Sequence, residues 1–136
     1  MKYMLIMNTP RDGYTQFMSW PKEVLEANGA FMQAFSAKLK ASGELAGAAG
    51  LATPEQARRV RMGEDGKPIT DGVFPESKEF LAGYWIVDVA SAERAMEIAA
   101  EASAAPGLPI HGADGTPIAH LWIEVREVMG SRRDME

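Results

Sequence analysis

Phe80-Leu81-Ala82-Gly83-Tyr84-Trp85-Ile86-Val87-Asp88-Val89 is a continuous apolar and aromatic run interrupted only by Gly83 and Asp88. A run this short, rich in aromatic and β-branched side chains, predicts a strand buried in the middle of a sheet. Directly after it, Ser91 predicts a helix N-cap and Glu93 puts a carboxylate in the first turn, where the helix dipole favours it. Ala95, Ile98, Ala99 and Ala102 then recur at helical spacing, with Met96 beside the stripe.

The rest of the chain arranges itself around that pair. Lys2 to Asn8 is a short apolar run closed by Asn8-Thr9-Pro10-Arg11-Asp12-Gly13, which predicts a second buried strand. A helix follows, with Ser19 as N-cap, Pro21 in the first turn, and Val24, Phe31, Phe35 and Leu39 on one face; Gly43 ends it. Leu45 to Ala52 predicts a strand of small residues, and Ala57 to Met62 another. Glu64-Asp65-Gly66-Lys67 predicts a turn. Ala105 to Pro117 holds prolines and glycines throughout and predicts a loop. Ile118 to Val128 alternates: Ala119, Leu121, Ile123 and Val125 face one way, and His120, Trp122, Glu124 and Arg126 the other.

The order strand, helix, strands, strand, helix, strand defines an α+β class. Its simplest arrangement is a ferredoxin-like βαββαβ sandwich with a mainly antiparallel sheet and helices on one face. Two helices cover one face only, so the other is expected to meet a second subunit. The expectation is a homodimer with small pockets at the seam.

The chain has 136 residues, 46% apolar and 24% charged, with a formal net charge of −5 and no cysteine. Disulfides, thiolate metal sites and a cysteine nucleophile are therefore excluded. The acidic balance argues against a nucleic-acid partner, and no apolar run is long enough to span a membrane. A cytoplasmic protein is expected.

Segment 71–79, Asp-Gly-Val-Phe-Pro-Glu-Ser-Lys-Glu, concentrates turn-forming and charged residues just before the strongest strand. One reading makes it a structural clamp: Asp71 accepts from nearby backbone N–H groups, Gly72 relaxes the backbone, and Phe74 plugs the core. The other points Asp71 or Glu79 into the interface pocket as a general base, raised toward neutrality by burial, with Lys78 supplying positive charge to an anionic intermediate; Asp71 is the first choice of the two. His120 is the second candidate, either hydrogen-bonded at a dimer seam or acting as a proton shuttle. Phe74, Glu79, Tyr84, Trp122 and Arg126 complete the set as substrate contacts. The positions of His111, Asp114 and His120 match no metal-ligand spacing, and no serine sits in a strand-to-helix elbow. Met4, Met7, Met18 and Met32 either fill the core or line a plastic apolar pocket.

Segment 71–79 resembles the signature Asp-Gly-Pro-Phe-Ala-Glu-Thr-Lys-Glu of the YCII-related (DGPF-domain) family. Asp71, Gly72, Phe74, Glu76, Lys78 and Glu79 match it, Ser77 stands for threonine, and Val73 and Pro75 depart. The opening Met1-Lys2-Tyr3-Met4-Leu5, Gly43-Glu44-Leu45 before Gly50-Leu51, Leu81 to Trp85, and Ile123-Glu124-Val125-Arg126 extend the similarity. Residues 1–136 are therefore expected to form one such domain. The resemblance implies a dimeric α/β-barrel, in which two sheets close face to face. A related branch includes a dehydrochlorinase associated with a His–Asp pair whose histidine lies in the first helix; the first helix here has none. The functional expectation is a small, partly apolar organic ligand in a pocket at the dimer seam. Cofactor-independent elimination or isomerisation is the expected chemistry: Asp71 is the base, His120 the shuttle, and Lys78 and Arg126 stabilise negative charge. The rival is a non-catalytic ligand-binding or accessory module.

Overall fold

The computed structural model describes residues 1–72 and 78–130. Phe74, assigned above to the core or the substrate, lies outside the described residues. Strand β1 (Lys2–Thr9) leads through a short helix α1 (Gly13–Met18) to the long helix α2 (Lys22–Ala41) and strand β2 (Leu45–Gly50). A ribbon of β3 (Arg59–Met62) and β4 (Pro68–Asp71) precedes β5 (Phe80–Asp88) and α3 (Ala92–Ser103). A second, smaller ribbon, β6 (Ile110–His111) with β7 (Pro117–Ile118), comes before the last strand β8 (Ile123–Glu127).

Four strands form one antiparallel sheet in the order β2-β5-β1-β8. The class is α+β, and the strand order is consistent with a ferredoxin-like chain. The apolar run of Phe80–Asp88 is indeed central: β5 pairs with β1 on one side and β2 on the other, Leu5 opposite Trp85 and Ala48 opposite the same Trp85. Alternation puts Tyr3, Leu5, Trp85 and Val87 on the helix-covered face, where all are buried. Leu5, Val87 and Ile98 are fully inaccessible, and Leu39 nearly so. Phe35 of α2 meets the Trp85 ring edge to face at 5.6 Å, the favoured geometry for an aromatic pair. Helix α3 approaches closely because Ala95, Ala99 and Ala102 present only methyl groups around Ile98.

Met4, Ile6, Tyr84 and Ile86 alternate onto the opposite face and are half-buried. The charged side chains Lys2, Asp88, Glu124 and Arg126 share that face by register.

The caps explain two outcomes. Ser91 Oγ accepts from the Arg94 N–H at 3.2 Å, as its sequence position requires. Ser19 does not cap α2. It closes α1, its hydroxyl donating to the Gln16 carbonyl. Trp20 precedes a proline and so avoids the helical region, which delays α2 until Lys22, with Pro21 outside it as N-cap. At the other end Gly43 takes φ +77°, and the Glu44 N–H reaches back to the Leu39 carbonyl at 2.9 Å. That left-handed step is inexpensive only for glycine.

Two further expectations change. The loop expected over 105–117 contains β6, and its partner β7 takes up the first residue of the strand expected over 118–128. The last strand is only Ile123–Glu127, because the chain bends at Ala119-His120. The Ser103 hydroxyl holds that bend by donating to the Leu121 carbonyl at 2.7 Å. His120 and Trp122 therefore precede β8 and are not part of its polar face. Ile123 and Val125 do pack on the core, as the alternation requires.

Candidate functional site

Large side chains fill the helix-facing layer at one end of the sheet, and almost none do at the other. Gly50 of β2 stands directly opposite Gly83 of β5, and Ala48 is the next residue of β2 on the same face. A Cβ at Gly83 would lie 2.9 Å from the Ala49 carbonyl oxygen, so that position is closed to any other residue; a Cβ at Gly50 would meet only open space. The missing side chains leave a cavity of about 590 Å³ between the sheet and α2, within the range of small-molecule sites.

Its walls come from several elements: Met7 of β1, Phe17 of α1, Trp20, Met32 of α2, Trp85 of β5, and Leu108 and Leu121 from the segment between α3 and β8. The polar residues on its border are neutral: Thr9, Asn28, Ser36, Thr53, Ser103, Tyr14 and Tyr84. Among the described residues that line it there is no aspartate, glutamate, lysine, arginine or histidine. Such a site holds its occupant by shape, dispersion and a few neutral hydrogen bonds. It would charge a large desolvation penalty to an ionised group.

The residues singled out in the sequence scatter around this cavity. Among the described site candidates only Tyr84 is part of its border, and its side chain alternates onto the opposite face of the sheet. Asp71 closes the β3–β4 ribbon: its carboxylate accepts from Arg59 at 3.0 Å and from the Gly72 N–H at 2.8 Å, while Arg59 Nε also donates to the Gly72 carbonyl. With 77% of its side chain exposed, Asp71 holds the end of a ribbon in solvent. Lys78 and Glu79 are exposed at the lead into β5. Asp114, in the β6–β7 turn, is held below the usual carboxylate range by hydrogen bonds from Thr116, and the Lys78 charge adds to the effect.

His120 and Trp122 border a separate recess between α3 and β8, with Tyr3 and Met96. His120 Nδ1 lies 3.1 Å from the Ser103 carbonyl, and Trp122 is 91% exposed. Arg126 is exposed on β8, opposite Met4 in register. Neither Asp71 nor Lys78 lines the cavity or this recess. Among the described residues no group of three histidine, aspartate or glutamate side chains is placed to hold a metal ion.

Sequence reasoning reached part of the cavity lining. Met7 and Met32 border the cavity and also pack against the core, so both readings of the methionines hold for them. Met18 is largely exposed. The glycines of β2 and β5 were visible, but a missing side chain carries no signal until strand pairing sets two of them face to face. Gln16, Phe17 and Trp20 escaped notice because α1 is a six-residue helix, too short for periodicity to show.

The most strongly perturbed charges sit away from the cavity. Glu44 accepts from Arg94 through both carboxylate oxygens, at 2.8 and 2.9 Å, and from the Ser42 hydroxyl at 2.8 Å. These bonds, Arg94 first and Ser42 second, hold its carboxyl down at about 2. The same pair raises the Arg94 guanidinium further, so it stays charged at every accessible pH. The pair ties the start of β2 to α3.

The fold and site thus define an α+β protein with an uncharged cavity between its sheet and its longest helix. Residues 1–108 match the YCII-related domain, and the chain belongs to that family. The match ends before β6, so the second ribbon and β8 lie beyond it. No curated protein matches the chain. None of the described helices is long and apolar enough to cross a membrane.

Proposed function

We propose that this YCII-related protein binds a small, uncharged, largely apolar organic molecule in the cavity between α2 and the sheet. One observation carries the reading: a volume of about 590 Å³ whose described lining contains no ionic side chain. This moves the ligand from the expected dimer seam to a pocket formed within one chain. It favours the non-catalytic ligand-binding alternative over acid–base chemistry by Asp71, Lys78 and His120, which border other surfaces. The open sheet face, with Met4, Ile6 and Ile86 uncovered by helices, supports the dimeric α/β-barrel arrangement as a proposal beside it; pairing two such faces would leave the cavity whole in each copy.

The test uses two probes of one shape. 2-Naphthol is neutral at pH 7 and 2-naphthoate is an anion, and binding of either is read from the fluorescence of Trp20 and Trp85, which line the cavity. The expected result is 2-naphthol binding at least about tenfold more tightly, a difference of about 1.4 kcal/mol. Gly50→Leu grows into the open space above β2 and should weaken 2-naphthol by about tenfold or more. Equal affinity for the two probes, or indifference of 2-naphthol to Gly50→Leu, would sink the proposal.

A further inference from the structure

The segment between α3 and β8 is built differently from the rest of the chain. It takes no part in the four-stranded sheet, and its own pairing is the two-residue ribbon of β6 and β7, turned at Gly115 with φ +84°. Its two roots are pinned together, Ser103 Oγ donating to the Leu121 carbonyl at 2.7 Å. Gly107, Leu108, Ile110, Ile118 and Leu121 of this segment line the cavity. A compact loop with joined ends can swing as a unit without disturbing the sheet.

Side chains from the opposite rim hold it down. The Gln16 amide is fully used: Nε2 donates to the His111 carbonyl at 2.9 Å and to Asp12 Oδ1 at 3.0 Å, and Oε1 accepts from the His111 N–H at 2.7 Å. Gln16 thus pairs with both backbone groups of His111, as a neighbouring strand would. Asn28 Nδ2 donates to the Pro106 carbonyl at 3.0 Å. Between these two ties the Trp20 ring lies against Gly107 so closely that a Cβ there would come within 2.4 Å of Cη2.

We propose that residues 105–121 are a strap that gates the cavity, and that Gln16 is its latch. The inference rests on the cavity being the ligand site. The ties are a few side-chain to backbone bonds at the surface, of the kind that opens locally at far lower cost than global unfolding. Opening widens the mouth of the cavity and so raises the rate at which an apolar ligand enters and leaves. Gln16 is a positioning residue: it acts on the strap and borders no part of the cavity itself.

The test is stopped-flow binding of 2-naphthol to the full chain, with backbone amide exchange at His111 measured alongside. Gln16→Glu keeps the shape but replaces both N–H donors with a carboxylate facing the His111 carbonyl and Asp12. Gly107→Val displaces the Trp20 contact independently. In both variants the association and dissociation rates should rise by about tenfold; in Gln16→Glu, which leaves the cavity lining untouched, they rise together, with Kd changed less than about threefold. His111 exchange should quicken in Gln16→Glu. Unchanged rates in both variants, with 2-naphthol still binding, overturn the gate and leave the cavity reading standing, as does unchanged His111 exchange in Gln16→Glu. Failure of 2-naphthol to bind the parent chain overturns the cavity reading, and the gate falls with it.

Discussion

Replacing Glu44 with glutamine should make the protein less stable at neutral pH and leave it nearly unaffected in acid. The parent carboxylate is held at about 2 by Arg94 and Ser42, against about 4.3 for a glutamate in an unfolded chain. A folded value below the unfolded one means that the native state binds fewer protons. Its stabilisation is complete above the unfolded value and lost as pH falls from there toward the folded value. Two pH units and a fraction correspond to about 3 kcal/mol before screening. Arg94 is 35% and Glu44 18% exposed, and screening by solvent brings the expected contribution to about 1–2 kcal/mol. The assay is urea denaturation of the parent and of Glu44→Gln at intervals from pH 7 to pH 2.5. The gap should be about 1–2 kcal/mol at pH 7, begin to shrink near pH 4.5 and be mostly gone at pH 2.5. Titrations common to both chains cancel in the difference. A gap of the same size at pH 7 and pH 2.5, or none at pH 7, would refute the assignment of the shift to this pair.

Asp71→Asn should change stability by less than about 1 kcal/mol in the same assay, because its partner Arg59 is met at the surface of a ribbon; a loss above 2 kcal/mol would show that Asp71 clamps more than the ribbon end. If two copies pair through the open sheet face, Ile86→Arg should convert a dimer to a monomer by sedimentation velocity at micromolar concentration. A parent chain that sediments as a monomer, or a variant that stays dimeric, would remove that face from consideration.

The elements legible in the sequence were those where one face is buried along several turns or residues. Phe80 to Asp88 could be nothing but a central strand, and Ala95, Ile98, Ala99 and Ala102 announced the buried stripe of α3. The capping serine at 91 and the glycine at 43 were readable because each solves a local backbone problem. Shorter pieces were not. Pro68–Asp71 has no buried face at all, so no hydrophobic pattern marks β4, and β6 and β7 are two residues each. The cavity escaped the sequence for a related reason. Sequence reasoning searches for groups that carry chemistry, and it weighed Asp71, Lys78 and His120. The cavity is made by Gly50, Gly83 and Ala48, residues whose contribution is the space they do not occupy.

The placement of charge bears on how this molecule works. Glu44 with Arg94 fastens β2 to α3, Lys38 fastens α2 to α3 through Glu101 at 2.7 Å, and the N-terminal ammonium fastens β1 to Asp88 at 3.1 Å. Asp71 and Arg59 close the ribbon. Each pair bridges two elements at the rim, where water screens it and the cost of burial is avoided. The rim of the cavity uses neutral amides for the same task, Gln16 and Asn28 holding the strap. An ion pair there would be harder to open and would set a charge beside an apolar ligand's path. An amide bonded to backbone groups can release and re-form without leaving an ion stranded, which is what a strap over an uncharged cavity requires.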